Sequence, residues 1–143
     1  MKTLLQRVIQ DKETNLYPVW FMRQAGRYMP EYMAIKAESN GFLDMALTPE
    51  KATEITMQPI KEFDMDAAII FSDILIINYA LGQELDYNPA PELGPYKESF
   101  WETTEGEFIE KCEPVYEAIR RVREELDDSK SLIGFAAAPY TLC

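Results

Sequence analysis

The sequence contains no histidine. Within these residues, this absence excludes a histidine general base, a serine–histidine catalytic triad and an imidazole metal ligand. Cysteine is also scarce. Cys112 and Cys143 are the only two, and they lie far apart in the sequence. Neither a disulfide framework nor a thiolate zinc site is indicated, so we expect a reducing, cytoplasmic location. Acid and base chemistry in this chain must come from carboxylates, tyrosine, lysine, cysteine or water.

Basic residues are few, with 14 lysines and arginines against 25 aspartates and glutamates, for a formal net charge of −11. Such a chain repels polyanions, so an anionic ligand has to be held by a local cluster of positive charge. Apolar runs are short as well. No stretch is long enough to span a bilayer, and residues 1–14 lack the continuous apolar stretch of a signal peptide. We therefore expect neither nucleic acid nor a membrane as a partner.

Against this acidic background, Arg23 and Arg27 lie four residues apart. Guanidinium groups bind planar carboxylates through paired hydrogen bonds, so the two arginines predict a site for a small molecule with several carboxylates. Gln24, Ala25 and Gly26 lie between them, and Gly26 permits backbone angles that a side chain would forbid. Because an arbitrary pair of arginines is most often exposed, the spacing alone leaves a surface location open.

Apolar runs alternate with amphipathic stretches along the chain, which indicates an α/β protein. Buried strands are predicted at residues 17–21, 67–71 and 130–136, and helices within 1–14, from 30, at 49–63 and at 108–126. The helix at 108–126 has the clearest pattern, since apolar residues recur there every three or four positions. Turn-forming residues concentrate between 81 and 106, and they predict a hairpin or other excursion.

Asp73 follows the second predicted strand directly, at the point where strand meets loop. Parallel α/β barrels keep their ligand sites at the carboxyl ends of the strands, so Asp73 is a candidate site carboxylate. Arg23 lies just past the end of the first predicted strand, which places it at the same edge. The alternative for Asp73 is an ordinary helix cap beside Ser72, and the sequence pattern leaves both interpretations open.

Four segments resemble the uroporphyrinogen decarboxylase family in order and spacing. They are Met22–Tyr32, Leu47–Glu50, Ala67–Leu75 and Leu132–Leu142. The resemblance extends from about Leu5 to Cys143 and implies a (β/α)8 TIM barrel, of which this chain covers about the first three β/α units. Because such a barrel needs roughly 250 residues, residues 1–143 are expected to be the N-terminal part of a single barrel domain that is incomplete at its C-terminus.

The resemblance also implies an activity. The family removes CO2 from the four acetate side chains of uroporphyrinogen III and gives coproporphyrinogen III, in haem synthesis. The substrate-binding residues that the resemblance implies are Arg23, Gln24, Ala25, Gly26, Arg27 and Asp73. Asp73 would accept hydrogen bonds from the pyrrole N–H groups and stabilise a cationic ring, and Arg23 matches the family's proposed general acid. A guanidinium holds its proton tightly, however, so we expect Arg23 to act mainly in binding.

The same resemblance implies no cofactor and no metal, because a protonated pyrrole accepts the electrons released with CO2. It implies a homodimer for the full-length protein. Two other functions stay open. One is a corrinoid-dependent methyltransferase, a barrel enzyme whose zinc ligands lie in later strands, and the other is a tetrapyrrole-binding fragment without activity. We expect residues 1–143 alone to be inactive.

Overall fold

The computed structural model describes residues 1–12, 15, 17–20, 25–87 and 90–142. Its helices and strands are α1 (Leu4–Asp11), α2 (Pro30–Ala37), α3 (Phe42–Leu47), α4 (Pro49–Phe63), β1 (Ala67–Ile69), α5 (Ile76–Ala80), β2 (Leu85–Tyr87), β3 (Pro91–Leu93), α6 (Glu98–Glu102), α7 (Glu105–Glu125), β4 (Ser131–Ile133) and α8 (Pro139–Leu142). None of the helices in these described ranges is long and apolar enough to cross a membrane.

Strands β1 and β4 form a parallel pair, with Ala67, Ala68 and Ile69 opposite Ser131, Leu132 and Ile133. The chain between them passes through α5, β2, β3, α6 and α7. The small side chains of Ala67 and Ala68 are fully buried. Parallel strands joined by a helical crossover are the unit from which α/β barrels and open α/β sheets are built. The two predicted strands are thus confirmed, although each is shorter than the sequence pattern indicated.

Helices α4 and α7 pack against each other and cover the sheet, and their contact forms the main hydrophobic core. That core consists of Ala52, Met57, Ile60, Met65, Ala68, Ile70, Ala118, Val122 and Leu126. Helix α7 begins with a capping box, in which the Thr104 hydroxyl accepts the Glu107 N–H and the Glu107 carboxylate accepts the Thr104 N–H. The predicted helices at 49–63 and 108–126 are therefore confirmed.

Strands β2 and β3 form an antiparallel hairpin, with Leu85 opposite Leu93 and Tyr87 opposite Pro91. This confirms the excursion predicted between residues 81 and 106. The buried side chain of Gln83 joins the two arms, because its amide donates to the Gly94 carbonyl at 2.7 Å. The Asn78 amide in turn donates to the Gln83 side-chain oxygen at 2.8 Å and ties the hairpin to α5.

The strand predicted at residues 17–21 is wrong for the residues that the structure describes. Residues 17–20 have no strand assignment, and residue 21 lies outside the described ranges. Tyr17 and Val19 are exposed at 82% and 48%, whereas a buried strand was predicted. Both backbone groups of Val19 bond to Asp66, whose N–H donates to the Val19 carbonyl while its carboxylate accepts the Val19 N–H at 2.7 Å. The Asp66 side chain thus accepts the Val19 N–H that would otherwise donate to a neighbouring strand.

Helix α1 confirms the helix predicted within residues 1–14, and it lies beside the first residues of β4. Its capping residue Thr3 shares a hydrogen bond of 2.5 Å with the buried hydroxyl of Ser131. A cavity of about 340 Å³ lies between α1 and β4, lined in part by Gln6, Ile9 and Leu132. This cavity runs along the whole of β4, since Ser131, Leu132 and Ile133 all line it.

Candidate functional site

The carboxyl end of β1 is held in place by a threonine of α4. The buried hydroxyl of Thr56 accepts a hydrogen bond from the Phe71 N–H at 2.9 Å and donates to the Ala52 carbonyl at 2.7 Å. The Ile70 N–H donates to the Ile133 carbonyl of the adjacent strand at 3.0 Å. The backbone just before Asp73 is therefore held by hydrogen bonds to both α4 and β4.

Asp73 lies half-buried in the turn that leads from β1 into α5. Its Oδ1 accepts the Leu75 N–H at 2.7 Å, and its carbonyl accepts the Ile76 N–H at 3.3 Å. One carboxylate oxygen thus bonds the backbone two residues further on, in the turn before α5, but Asp73 is not the N-cap of that helix, which is Leu75. Within the described part of the chain, the other oxygen receives no hydrogen bond of ordinary geometry, so Asp73 keeps an acceptor for a ligand.

Aromatic rings form a continuous row beside Asp73. The Tyr32 ring lies edge-on to Phe71 with centroids 6.2 Å apart, and Phe42 lies 5.2 Å from Phe71 and 4.7 Å from Tyr87. The row connects α2, the end of β1, the start of α3 and the end of β2. Ring pairs at these separations are attractive beyond their area burial, so the row supports the carboxylate with a rigid apolar wall.

Tyr87 brings a polar atom to this wall. Its hydroxyl oxygen is buried, and the described residues offer it no hydrogen bond of ordinary length and angle. Burial raises the pKa of Tyr87, and the neighbouring Asp73 carboxylate raises that pKa further. The hydroxyl therefore keeps its proton at neutral pH and remains a potential donor.

The predicted arginine segment is described only in part. Arg23 and Gln24 lie outside the described residues, while Ala25 and Gly26 are half-buried and Arg27 is exposed. The Gly26 carbonyl accepts the Met29 N–H at 2.9 Å, which closes a turn just before α2. Met29 is 3% exposed and anchors this turn in the protein.

The structure does not join Arg27 to Asp73. Among the described residues, Arg27 forms no ion pair or side-chain hydrogen bond, and its guanidinium is available to solvent. The predicted substrate-binding roles of residues 23–27 and of Asp73 remain predictions.

Sequence reasoning missed Thr56 and Tyr87. A threonine within a helix commonly bonds the carbonyl four residues back, so the Thr56–Ala52 bond was open to prediction, but its bond to Phe71 depends on tertiary packing. Nothing in the sequence indicated a site role for Tyr87, since aromatic residues are common in the strands of hairpins.

Comparison with known proteins gives a consistent result. The sequence profile of the family Uroporphyrinogen decarboxylase (URO-D) matches residues 1–143. Uroporphyrinogen decarboxylase of Brucella anthropi is 45% identical over 146 aligned positions, covering 99% of this chain and 42% of that relative. The Rickettsia felis enzyme of the same name is 46% identical over 136 positions, covering 92% of this chain and 39% of the relative. The chain thus spans about two fifths of the length of these relatives.

Among solved structures, a methyltransferase from Methanosarcina mazei superposes with a TM-score of 0.72 over 96% of this chain and 42% of its own. Its sequence identity of 16% is low, so the likeness concerns the fold alone. The mixed α/β architecture, the parallel β1–β4 pair and this likeness support a barrel-family fold. With a profile match along its whole length and relatives at about 45% identity, the chain belongs to the uroporphyrinogen decarboxylase family.

Proposed function

We propose that this chain is the N-terminal part of a uroporphyrinogen decarboxylase, covering about three β/α units of a single (β/α)8 barrel. The full-length enzyme converts the four acetate side chains of uroporphyrinogen III to methyl groups and releases coproporphyrinogen III. The observation that carries this proposal is the family match along residues 1–143, which includes the arginine segment and Asp73.

The chemistry needs an electron sink, and the substrate supplies one. A proton adds to the pyrrole carbon that bears the acetate arm and makes the ring a cation. The bond between the methylene and the carboxyl carbon then breaks, its electron pair neutralises the ring, and CO2 leaves. A second proton adds to the methylene carbon to form the methyl group, and the ring carbon loses the first proton. No metal or organic cofactor enters this sequence of steps.

Asp73 suits the stabilisation of that cation. Its position is fixed by the Leu75 N–H, its second oxygen is available, and the Phe71–Phe42 contact forms an apolar wall beside it. A fixed negative charge in an apolar cleft stabilises a developing positive charge far better than water does, because it needs no reorganisation. We assign Asp73 the role of accepting the pyrrole N–H groups and stabilising the cationic ring.

The arginine segment would bind the carboxylates of the substrate. Arg27 is exposed next to the turn that Gly26 and Met29 close, so its guanidinium is free to hold a carboxylate in paired hydrogen bonds. Arg23 is assigned the same role, with proton donation as a secondary function. Gln24, Ala25 and Gly26 complete the segment as the backbone that approaches the macrocycle.

The proposal extends to the setting of the enzyme. We infer a cytoplasmic homodimer that acts on a tetrapyrrole, with no nucleic acid or membrane partner. The acidic net charge of −11 supports the expected absence of nucleic acid and membrane partners, because it disfavours polyanions and anionic membrane surfaces. Recognition of the anionic substrate is then left to local arginines.

The full-length enzyme tests the proposal directly. Purified protein incubated with uroporphyrinogen III under reducing conditions should form coproporphyrinogen III, and Asp73→Asn should lower kcat by about two to three orders of magnitude, since the charge that stabilises the cation is lost. Asp128→Asn is the matched control, because that side chain is fully exposed. Absence of coproporphyrinogen from the wild-type reaction would refute the function, and near-normal turnover by Asp73→Asn would refute the role of Asp73.

A further inference from the structure

Tyr87 has a buried hydroxyl without an ordinary partner. Tyr87 is the last residue of strand β2. Its hydroxyl oxygen is shielded from solvent, yet it forms no hydrogen bond of ordinary geometry with the described residues. Buried hydroxyl groups nearly always have a partner, because an unsatisfied one costs free energy. A native position that leaves the hydroxyl unpaired therefore points to a partner that completes the bond in another state of the site.

The ring of Tyr87 has little freedom to move. It packs on Phe42 with centroids 4.7 Å apart and planes at 32°, and Phe42 packs on Phe71, two residues before Asp73. The backbone N–H of Tyr87 is also held, because it donates to the Asp86 carboxylate at 2.7 Å. The ring of Tyr87 is thus held by contacts that do not involve its hydroxyl.

Asp73 is the charged group that acts on this hydroxyl. Asp73 raises the pKa of Tyr87 in addition to the effect of burial, so the phenol remains protonated. A protonated phenol next to a carboxylate is stabilised by donating a hydrogen bond to it. The Leu75 N–H donates to Oδ1 of Asp73, whereas Oδ2 accepts no hydrogen bond of ordinary geometry from the described residues, so Oδ2 is the oxygen that we assign to Tyr87. The Tyr87 hydroxyl has no hydrogen bond of ordinary geometry with the described residues, and Asp73 lies close enough to raise the pKa of Tyr87.

We propose that Tyr87 is a positioning residue that donates its hydroxyl hydrogen bond to Oδ2 of Asp73 and fixes the plane of that carboxylate for the substrate. The inference rests on the proposed decarboxylase function and goes beyond it, since it assigns a role to a hairpin residue outside the arginine segment. With Leu75 and Tyr87 both donating, the carboxylate cannot rotate, and its remaining lone pairs point in a fixed direction. Hydrogen bonds to a charged group are stronger than those between neutral groups.

Kinetics of the full-length enzyme test the role. Tyr87→Phe keeps the ring and its contact with Phe42 but removes the hydroxyl, so kcat should fall about tenfold with little change in KM, because the fixed carboxylate matters most when the ring is cationic. In an Asp73→Asn background, the same substitution should change kcat less than about twofold, because the charge through which Tyr87 acts is absent. Tyr116→Phe on the exposed side of α7 is the matched control and should leave kcat unchanged.

Equal losses from Tyr87→Phe in the wild-type and Asp73→Asn backgrounds would overturn the inference, because they would show that Tyr87 acts independently of the carboxylate. An unchanged kcat in Tyr87→Phe would overturn it as well. Thermal unfolding of each variant separates this role from simple destabilisation, since a positioning role lowers kcat in enzyme that is still fully folded at the assay temperature.

A proton NMR measurement on the full-length protein distinguishes failure of this inference from failure of the proposed function. The hydroxyl proton of Tyr87, identified by its loss in Tyr87→Phe, should exchange slowly with water and shift or disappear in Asp73→Asn. A hydroxyl signal that is unchanged in Asp73→Asn would refute the proposed hydrogen bond between Tyr87 and Asp73, whatever the activity of the enzyme. A signal that responds supports the contact, even if wild-type protein forms no coproporphyrinogen and the decarboxylase proposal fails.

Discussion

At the scale of single residues, the Asp73 carboxylate has one structural task that the structure shows and one chemical task that we propose for it. Oδ1 holds the N–H of Leu75 at the start of α5, and Oδ2 remains for a ligand or for Tyr87. A carboxylate fixed in this way loses little freedom when a substrate binds, so more of the interaction is available to the transition state. The bond to Leu75 is therefore compatible with the proposed site role, although Asp73 is not the N-cap of α5.

The arginines permit a prediction at the same scale. Arg23→Lys and Arg27→Lys in the full-length enzyme each keep the positive charge but lose the planar pair of donors, so each should raise KM for uroporphyrinogen about tenfold. Arg23→Lys should also lower kcat if Arg23 supplies a proton. Steady-state kinetics measure both effects, with Arg120→Lys as the control, because Arg120 pairs with Glu113 and Glu117 on the surface of α7. Unchanged KM values in both variants would remove the arginines from substrate binding.

At the scale of elements, the end of β1 depends on α4 through Thr56. In full-length protein, Thr56→Val removes the acceptor of the buried Phe71 N–H, so the free energy of unfolding should fall by about 1–3 kcal/mol. Thr53→Val is a close control on the same helix, because the Thr53 hydroxyl is buried without a partner among the described residues and its removal should be neutral or stabilising. Urea denaturation measures both. Equal destabilisation of the two variants would show that the bond to Phe71 contributes nothing.

How well the sequence predicted each element depended on how local its stabilisation is. Helices α4 and α7 were predictable because their apolar spacing and their start signals lie within the elements themselves. Helices α3 and α5 were not predicted, since six and five residues are too few to show a period. The failure at residues 17–21 has the opposite cause. An apolar run indicates burial only if other elements cover it, and Tyr17 and Val19 are exposed in the described structure.

The site was predictable to a different extent. Asp73 was predicted as a site residue from its place after an apolar run, because the carboxyl end of a parallel strand is defined by the strand itself, and its site role stays a prediction. The aromatic row of Tyr32, Phe42, Phe71 and Tyr87 was not identified, because its members come from separate elements and meet only through tertiary packing. A pattern along the chain predicts which end of a strand carries chemistry, but not which distant side chains surround it.

At the scale of the whole molecule, the described part of the parallel sheet is short. The described strands β1 and β4 give three paired residues each, and Asp73 lies just beyond the end of β1. A macrocycle that must be held on several sides needs groups from many strands of a barrel. The relatives, of which this chain covers 42% and 39%, contain additional residues that can provide them.

We therefore expect residues 1–143 alone to form no coproporphyrinogen. Asp73 and the arginine segment can contact only part of a macrocycle, and an incomplete cleft neither orients the acetate arm nor excludes water, which together supply most of the rate enhancement. The purified chain should show no turnover above the rate without enzyme, while the full-length protein, assayed in parallel, decarboxylates the substrate. Adding the separately expressed remainder of the protein should restore activity if the two pieces assemble. Turnover by residues 1–143, in a preparation shown by mass spectrometry to contain no full-length enzyme, would mean that far less of the barrel suffices for the chemistry.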